Sequence, residues 1–268
     1  MTQIEASLPT DRTPATLHEQ AEEFVLDTVT ETGAEGVVLA LDGSVETATL
    51  AAVATDALDP DSVTALVMPA FLTSEAAARD AEIVAQGLGL SPQRVQLQPL
   101  LGAFREAMDE TGVPADDTVA VENALARFRM VCRYYVANTT DLLVAGAVTR
   151  TDRLLGTVTK HGTLGADLLP FGACYRSEVM AVAERLDVPA SSPAGFESSP
   201  TDAERLGVDH ATLDAVLVGL VEDEESPATV AERVGVDPTT AERVADWVAA
   251  TAHKRRPPKV PDYSHESH

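Results

Sequence analysis

The chain has 268 residues, 45% of them apolar, which is ample to bury a sizeable core. Its 43 acidic residues against 19 basic ones leave a net charge of -24, a field that argues against binding the outside of duplex DNA or an anionic membrane. The acids are spread between apolar positions of regular period, which argues against acidic disorder. In chain order, residues 1–14 read as a loose arm. Ala15 to Glu31 is expected to be a helix with Leu17, Ala21, Phe24, Val25 and Val29 on one face. Gly36 to Leu41 has no polar residue and reads as a fully buried strand, followed by an Asp42-Gly43-Ser44 turn and an Ala-rich helix from Val45 to Ala57. The cycle repeats with a strand at Val63 to Met68, a helix at Ser74 to Leu88 and a short strand at Val95 to Leu97.

A long helix is expected within Ala115 to Asn138, with Arg127, Arg129 and Arg133 set among apolar positions, then a strand from Asp141 to Gly146. Strands alternating with helices predict an α/β fold with a parallel sheet of about five strands and a ligand site at the strands' C-terminal ends. Beyond Thr149 the pattern changes to a loop-rich stretch from Gly156 to Pro170. A helix over Ser177 to Leu186, a Ser/Pro loop at Pro189 to Pro200 and a helical C-terminal part follow, the latter made of His210 to Val221, Pro227 to Val234 and Pro238 to Thr251. The expected organisation is an arm at 1–14, one domain over 15–258 and a tail at 259–268.

Self-repulsion at this charge weakens the compact state in dilute buffer and is relieved by salt. Only three of the basic residues are Lys (Lys160, Lys254 and Lys259), and aromatics make up 4%. Together these features predict a halophilic, cytoplasmic protein. Cys132 and Cys174 lie far apart with no C-x-x-C, so two buried free thiols are expected rather than a structural metal site. No apolar run approaches about 18 residues, and Met1 to Arg12 is too polar for a signal peptide.

Several segments carry candidate chemistry. From Leu39 to Ala48, a buried strand runs into a Gly-containing loop and a helix, an arrangement that aims backbone N–H groups at one point and suits phosphate, although any βα junction has a turn here. Lys160, in the loop Gly156 to Gly162, stands in a chain nearly devoid of Lys and points to a specific anionic partner. The basic run His253-Lys254-Arg255-Arg256 reads as a local anion site. Thr229 to Val244 has the cadence of a helix-turn-helix, but Asp237 and Glu242 in the would-be recognition helix argue against DNA.

Taken in order, these segments resemble the ammonia-dependent NAD+ synthetases, members of the N-type ATP pyrophosphatases with an adenine nucleotide alpha-hydrolase-like fold. The most specific parts are Asn123-Ala-Leu-Ala-Arg-Phe-Arg-Met130, Thr159-Lys160 with Gly165-Ala166-Asp167, and His253-Lys254-Arg255. The resemblance implies ATP-dependent amidation of deamido-NAD by ammonia through an adenylated intermediate, with Mg2+ and a homodimer paired through the long helices before Asp141. It places Arg127, Lys160, Asp167, His253 and Lys254 on the deamido-NAD side, with Lys160 and Arg176 in catalysis. The lack of an amidohydrolase domain implies free ammonia or a separate glutaminase.

On the ATP side the resemblance implies Asp42, Gly43, Ser44, Thr47, Ala147 and Arg176, with Glu46 and Asp152 as metal ligands. There the sequence departs from the family pattern. Asp42-Gly43-Ser44-Val45-Glu46-Thr47 stands where the family has S-G-G-x-D-S. Glu46 replaces a metal-binding Asp, Asp152 a metal-binding Glu, and Arg176 a phosphate-binding Lys. Ala147 and Pro193 stand where Thr is usual, and Thr163 replaces an Asp. Glu46 and Asp152 each move a carboxylate by about 1.5 Å, which octahedral Mg2+ tolerates poorly. A carboxylate at Asp42 repels a phosphate by roughly 1–4 kcal/mol at moderate dielectric, and Ser44 is strained if the loop needs positive φ there. Two readings follow: a working synthetase with a drifted ATP site, or a non-catalytic paralogue that binds a dinucleotide and acts through an interaction.

Overall fold

The architecture is that of a computed structural model and describes residues 8–114, 117–189 and 201–261. The expected loop containing Pro193, most of the tail and the first seven residues of the arm lie outside that range. Helix α1 (Pro14–Thr32) starts on a Thr13 cap whose hydroxyl accepts from the Thr16 N–H. It turns Leu17, Ala21, Val25 and Val29 inward, while Phe24, expected on that face, is 45% exposed. The described part of the arm is held rather than loose: Arg12 Nη2 pairs with Glu178 Oε2 at 2.6 Å.

Strand β1 (Gly36–Leu41) leads through a short loop into α2 (Val45–Ala57), and β2 (Val63–Val67) into α3 (Glu75–Gly87). The next strand, β3 (Gln93–Arg94), lies just before the Val95 to Leu97 segment expected to form it. Two of those residues instead close the strand end through main-chain bonds, Val95 N–H to Val67 O and Leu97 N–H to Pro69 O. Helices α4 (Gln98–Asp109) and α5 (Thr118–Thr140) precede β4 (Leu142–Val144). Among the described residues the sheet has four strands, all parallel, in the order β3-β2-β1-β4. That is one strand fewer than the five or so expected, and beyond β4 only an isolated parallel bridge joins Ala145 to Leu168.

Alternation along β1 builds both faces of the sheet. Val37, Leu39 and Leu41 join one core with residues of α1, α2 and α3, and Val38 faces a second core with Leu101, Leu125 and Met130. Each such fully buried aliphatic side chain contributes about 1.5–3 kcal/mol. Gly36 is required by space, since a Cβ there would stand 2.0 Å from the Ser62 carbonyl oxygen.

The C-terminal part has a core of its own. Helices α6 (Arg150–Leu155) and α7 (Arg176–Arg185) connect the sheet to α8 (Asp202–Leu206), α9 (His210–Val221), α10 (Pro227–Val234) and α11 (Pro238–Ala250). Leu154, Leu155, Tyr175, Leu213, Leu217, Val230 and Val244 pack together there. The α10–α11 pair that resembled a helix-turn-helix thus closes this core. Cys174 is buried as expected, whereas Cys132 is only partly so.

Candidate active site

A cleft of about 550 Å³ opens where the strands end, lined by Leu41 at the end of β1 and Asp42 beyond it, Met68 after β2 and Ala145 to Val148 after β4. This is the edge at which parallel α/β sheets bind ligands. Helix α5 and the C-terminal helical part, with Trp247 and Thr251, form its other walls. Five of the basic side chains line it (Arg129, Arg133, Arg176, Arg205 and Lys254) against five acidic ones (Asp42, Glu46, Glu122, Asp152 and Asp202). In a chain of net charge -24, that balance makes the cleft accessible to an anion.

The loop between β1 and α2 is closed by its own carboxylate. Asp42 Oδ1 accepts from the Ser44 N–H at 2.9 Å, the Ser44 hydroxyl at 2.7 Å and the Thr47 hydroxyl at 2.8 Å. Asp42 therefore takes up loop donors that would otherwise face a phosphate. The strain expected at Ser44 is absent: its φ is -79°, and it caps α2 through the Thr47 N–H. Positive φ falls on Gly43, at 87°, where a Cβ would also meet the Ala77 carbonyl oxygen at 2.9 Å.

At the first turn of α2, the buried Glu46 pairs through Oε1 with Arg176 Nε at 2.6 Å. Burial raises the Glu46 pKa, and the attraction of Arg176 only partly offsets this. Burial works against the charge of Arg176 as well, but Glu46, Asp152, Asp202 and Asp214 outweigh it and hold its pKa above the ordinary value. Asp152 completes a capping box on α6, its Oδ2 accepting from the Thr149 N–H at 2.9 Å and hydroxyl at 2.7 Å. The second oxygen of each carboxylate is not used by these contacts. Two carboxylates lining one cleft suit a hard cation such as Mg2+, which takes one or two carboxylates together with phosphate oxygens and water.

The expected site residues divide between the cleft and a ridge beside it. Asp42, Ser44, Glu46, Thr47, Ala147, Asp152, Arg176 and Lys254 line the cleft together. Gly43 shapes the loop without lining it, and Arg127, Lys160, Asp167 and His253 lie outside the lining. Three of these join through main-chain carbonyls: Arg127 Nη2 donates to Lys160 O at 3.1 Å and Lys160 Nζ to His253 O at 3.5 Å. Asp167 is held by the Tyr134 hydroxyl at 2.7 Å and the Val144 N–H at 2.7 Å. The basic run is less available than expected. Lys254 Nζ donates to Gly156 O at 2.5 Å, and Arg255 spends its guanidinium on the Arg153, Leu154 and Val248 carbonyls.

Five of the ten charged lining residues were not expected as site residues: Glu122, Arg129, Arg133, Asp202 and Arg205. Asp202 and Arg205 sit on α8, a helix too short to show periodicity, although Thr201-x-x-Glu204 is a capping-box pattern. Arg133 shares the buried stripe of α5 with Ala126, Met130 and Ala137, and a cation at that spacing was the signal.

The sequence model described as NAD synthase matches residues 17–258. The chain belongs to that family. Among its relatives, the NH(3)-dependent NAD(+) synthetase of Halobacterium salinarum is 35% identical over 248 residues, covering 91% of each chain. That of Hyperthermus butylicus is 35% identical over 90% of this chain and 88% of its own. Two solved structures superpose closely. The NH3-dependent NAD synthetase of Campylobacter jejuni has a TM-score of 0.77 at 24% identity, with 94% of this chain and 100% of that chain covered. An NMN synthetase from Francisella tularensis has a TM-score of 0.78 at 25% identity, with the same shares covered.

Proposed function

We propose that the chain is an ammonia-dependent NAD+ synthetase, joining ammonia to deamido-NAD with consumption of ATP. The observation that carries this reading is the family match over residues 17–258, on a fold whose strand ends open into a charge-balanced cleft. The nicotinate carboxylate attacks the α-phosphorus of ATP, and pyrophosphate leaves. Ammonia then attacks the acyl carbon of the adenylate, AMP leaves with the bonding pair, and the nitrogen loses a proton. The non-catalytic paralogue finds no support beyond the altered loop, whose geometry is unstrained.

In this scheme the N-terminus of α2 faces the phosphates, and Arg176 supplies fixed positive charge beside them. Mg2+ held by Glu46 and Asp152 would offset the triphosphate charge. Lys160, with Arg127 and His253 on the adjoining ridge, orients the anionic acceptor, while Lys254 faces the cleft. Leu100, Val131 and Tyr135 are exposed on α4 and α5, which supports a homodimer paired through those helices. Among the described residues no helix is long and apolar enough to cross a membrane; together with the acidic composition, this supports a salt-adapted cytoplasmic enzyme.

The test is stoichiometric. In molar KCl with deamido-NAD, Mg-ATP and ammonium, each NAD+ formed should be matched by one AMP and one pyrophosphate. NAD+ formation without AMP would reject the adenylate route, and no NAD+ in any salt would reject the synthetase reading.

A further inference from the structure

Arg133 projects from α5 into the cleft and is only 6% exposed. Its Nη1 donates to Ala145 O at a long 3.3 Å, and its Nε has no hydrogen-bond partner. Among the described residues no carboxylate forms an ion pair with it. Burial lowers its pKa to about 10, Tyr134 and to a smaller extent Asp42 opposing this and Arg129 adding to it, so it stays charged at neutral pH. A buried guanidinium without a paired anion is costly to the folded chain. A side chain kept under such conditions in the wall of a cleft has the character of a group waiting for an anionic ligand.

The neighbouring loop gives a second, independent reason. Asp42 binds three of its own loop's donors and adds a negative charge at the mouth of β1. A phosphate entering there loses a backbone donor and meets a carboxylate. Arg133 lines the same cleft as that carboxylate and carries the opposite sign.

We infer that Arg133 is a phosphate-recognising residue of the cleft, supplying from α5 a cationic donor in place of the neutral loop donors that Asp42 takes up. This rests on the reading that the cleft takes a nucleoside triphosphate. The role is one of binding and positioning, with no covalent step.

The test compares the native chain with Arg133→Met and Arg133→Lys in molar KCl, by calorimetry with Mg-ATP and with adenosine. Arg133→Met is expected to weaken ATP binding roughly ten- to a hundredfold, the size of a charge-assisted contact, and to leave adenosine binding unchanged. Arg133→Lys should fall between native and Met. The ligand-free Arg133→Met protein should melt at or above the native temperature, because an unpaired buried charge has been removed. Equal losses for ATP and adenosine, or a lower ligand-free melting temperature with ATP affinity intact, would mark Arg133 as structural and overturn the inference. If the native chain binds no ATP, the nucleotide reading of the cleft fails instead. Inorganic triphosphate then decides for Arg133: binding lost in Arg133→Met supports it, and binding absent or unchanged overturns it.

Discussion

Arg176 Nε stands 2.6 Å from Glu46 Oε1, tying the first residue of α7 to the first turn of α2 at the floor of the cleft. Two substitutions read separately in the sequence are thus partners in one ion pair. Both side chains are largely shielded from water, at 17% and 11% exposure, so removing one strands the other's charge. Arg176→Ala is expected to destabilise the fold by about 3 kcal/mol, the lower range for breaking a buried pair. Glu46→Gln together with Arg176→Met should recover most of that loss. Urea unfolding at fixed KCl measures both, and an Arg176→Ala protein as stable as native would show that the pair holds nothing in place.

How far this was legible in the sequence depends in part on element length, although α4, at twelve residues, also went unread. The segment from Gly36 to Ala57 could be read directly, since an uninterrupted apolar run and a Gly-containing turn admit little else, and β1 and α2 have the expected bounds. Helices α6 and α8, of six and five residues, were missed because neither spans two turns, so only their caps could betray them. The conformation of the loop was misread for another reason. Family likeness located it correctly but suggested Ser44 as the strained position, whereas the Asp42 side chain bonds the loop into a turn with positive φ at Gly43. That the same carboxylate both closes the loop and acts on Arg133, 91 positions along the chain, follows only from the folded packing.

Salt should govern stability. Like charges at a net of -24 repel at distances that molar salt screens to a few ångströms. The melting temperature is expected to climb steeply from low to molar KCl, with part of the gain retained when KCl is replaced by NaCl. A flat profile would refute salt adaptation.

Acidity should act in the opposite direction to the usual acid denaturation over a limited window. Asp214 is buried where Thr151 and the Ser177 N–H bond it, and burial raises its pKa to about 6. Burial raises Glu46 and Asp202 as well. A carboxyl with a folded pKa above its unfolded one binds more protons in the native state, so stability falls as pH rises through that window. For Asp214 the shift from 3.8 to about 6 amounts to about 3 kcal/mol over the whole titration, of which roughly 1 kcal/mol falls between pH 5 and 7. Unfolding at fixed molar KCl should therefore show greater stability near pH 5 than pH 7. The slope should be smaller in Asp214→Asn, and a native protein equally stable at both values would exclude these groups as its source.

The last expectation separates the two changes in the β1–α2 loop. Asp42 holds the Ser44 N–H and two hydroxyls, and its charge faces the cleft. Asp42→Ser removes a repulsion of roughly 1–4 kcal/mol and releases a backbone donor, so Mg-ATP should bind at least several-fold more tightly. The same change gives up bonds that close the loop, so the ligand-free protein should melt lower. Ser44 is different: its φ suits any residue, and its hydroxyl caps α2. Ser44→Gly should cost a few tenths of a kcal/mol in stability and bring no gain in ATP affinity, because no strain is present to relieve. Calorimetry on the two single variants decides between these outcomes. A gain from Ser44→Gly that equals or exceeds the gain from Asp42→Ser would mean that loop conformation, rather than the Asp42 charge, limits ATP binding.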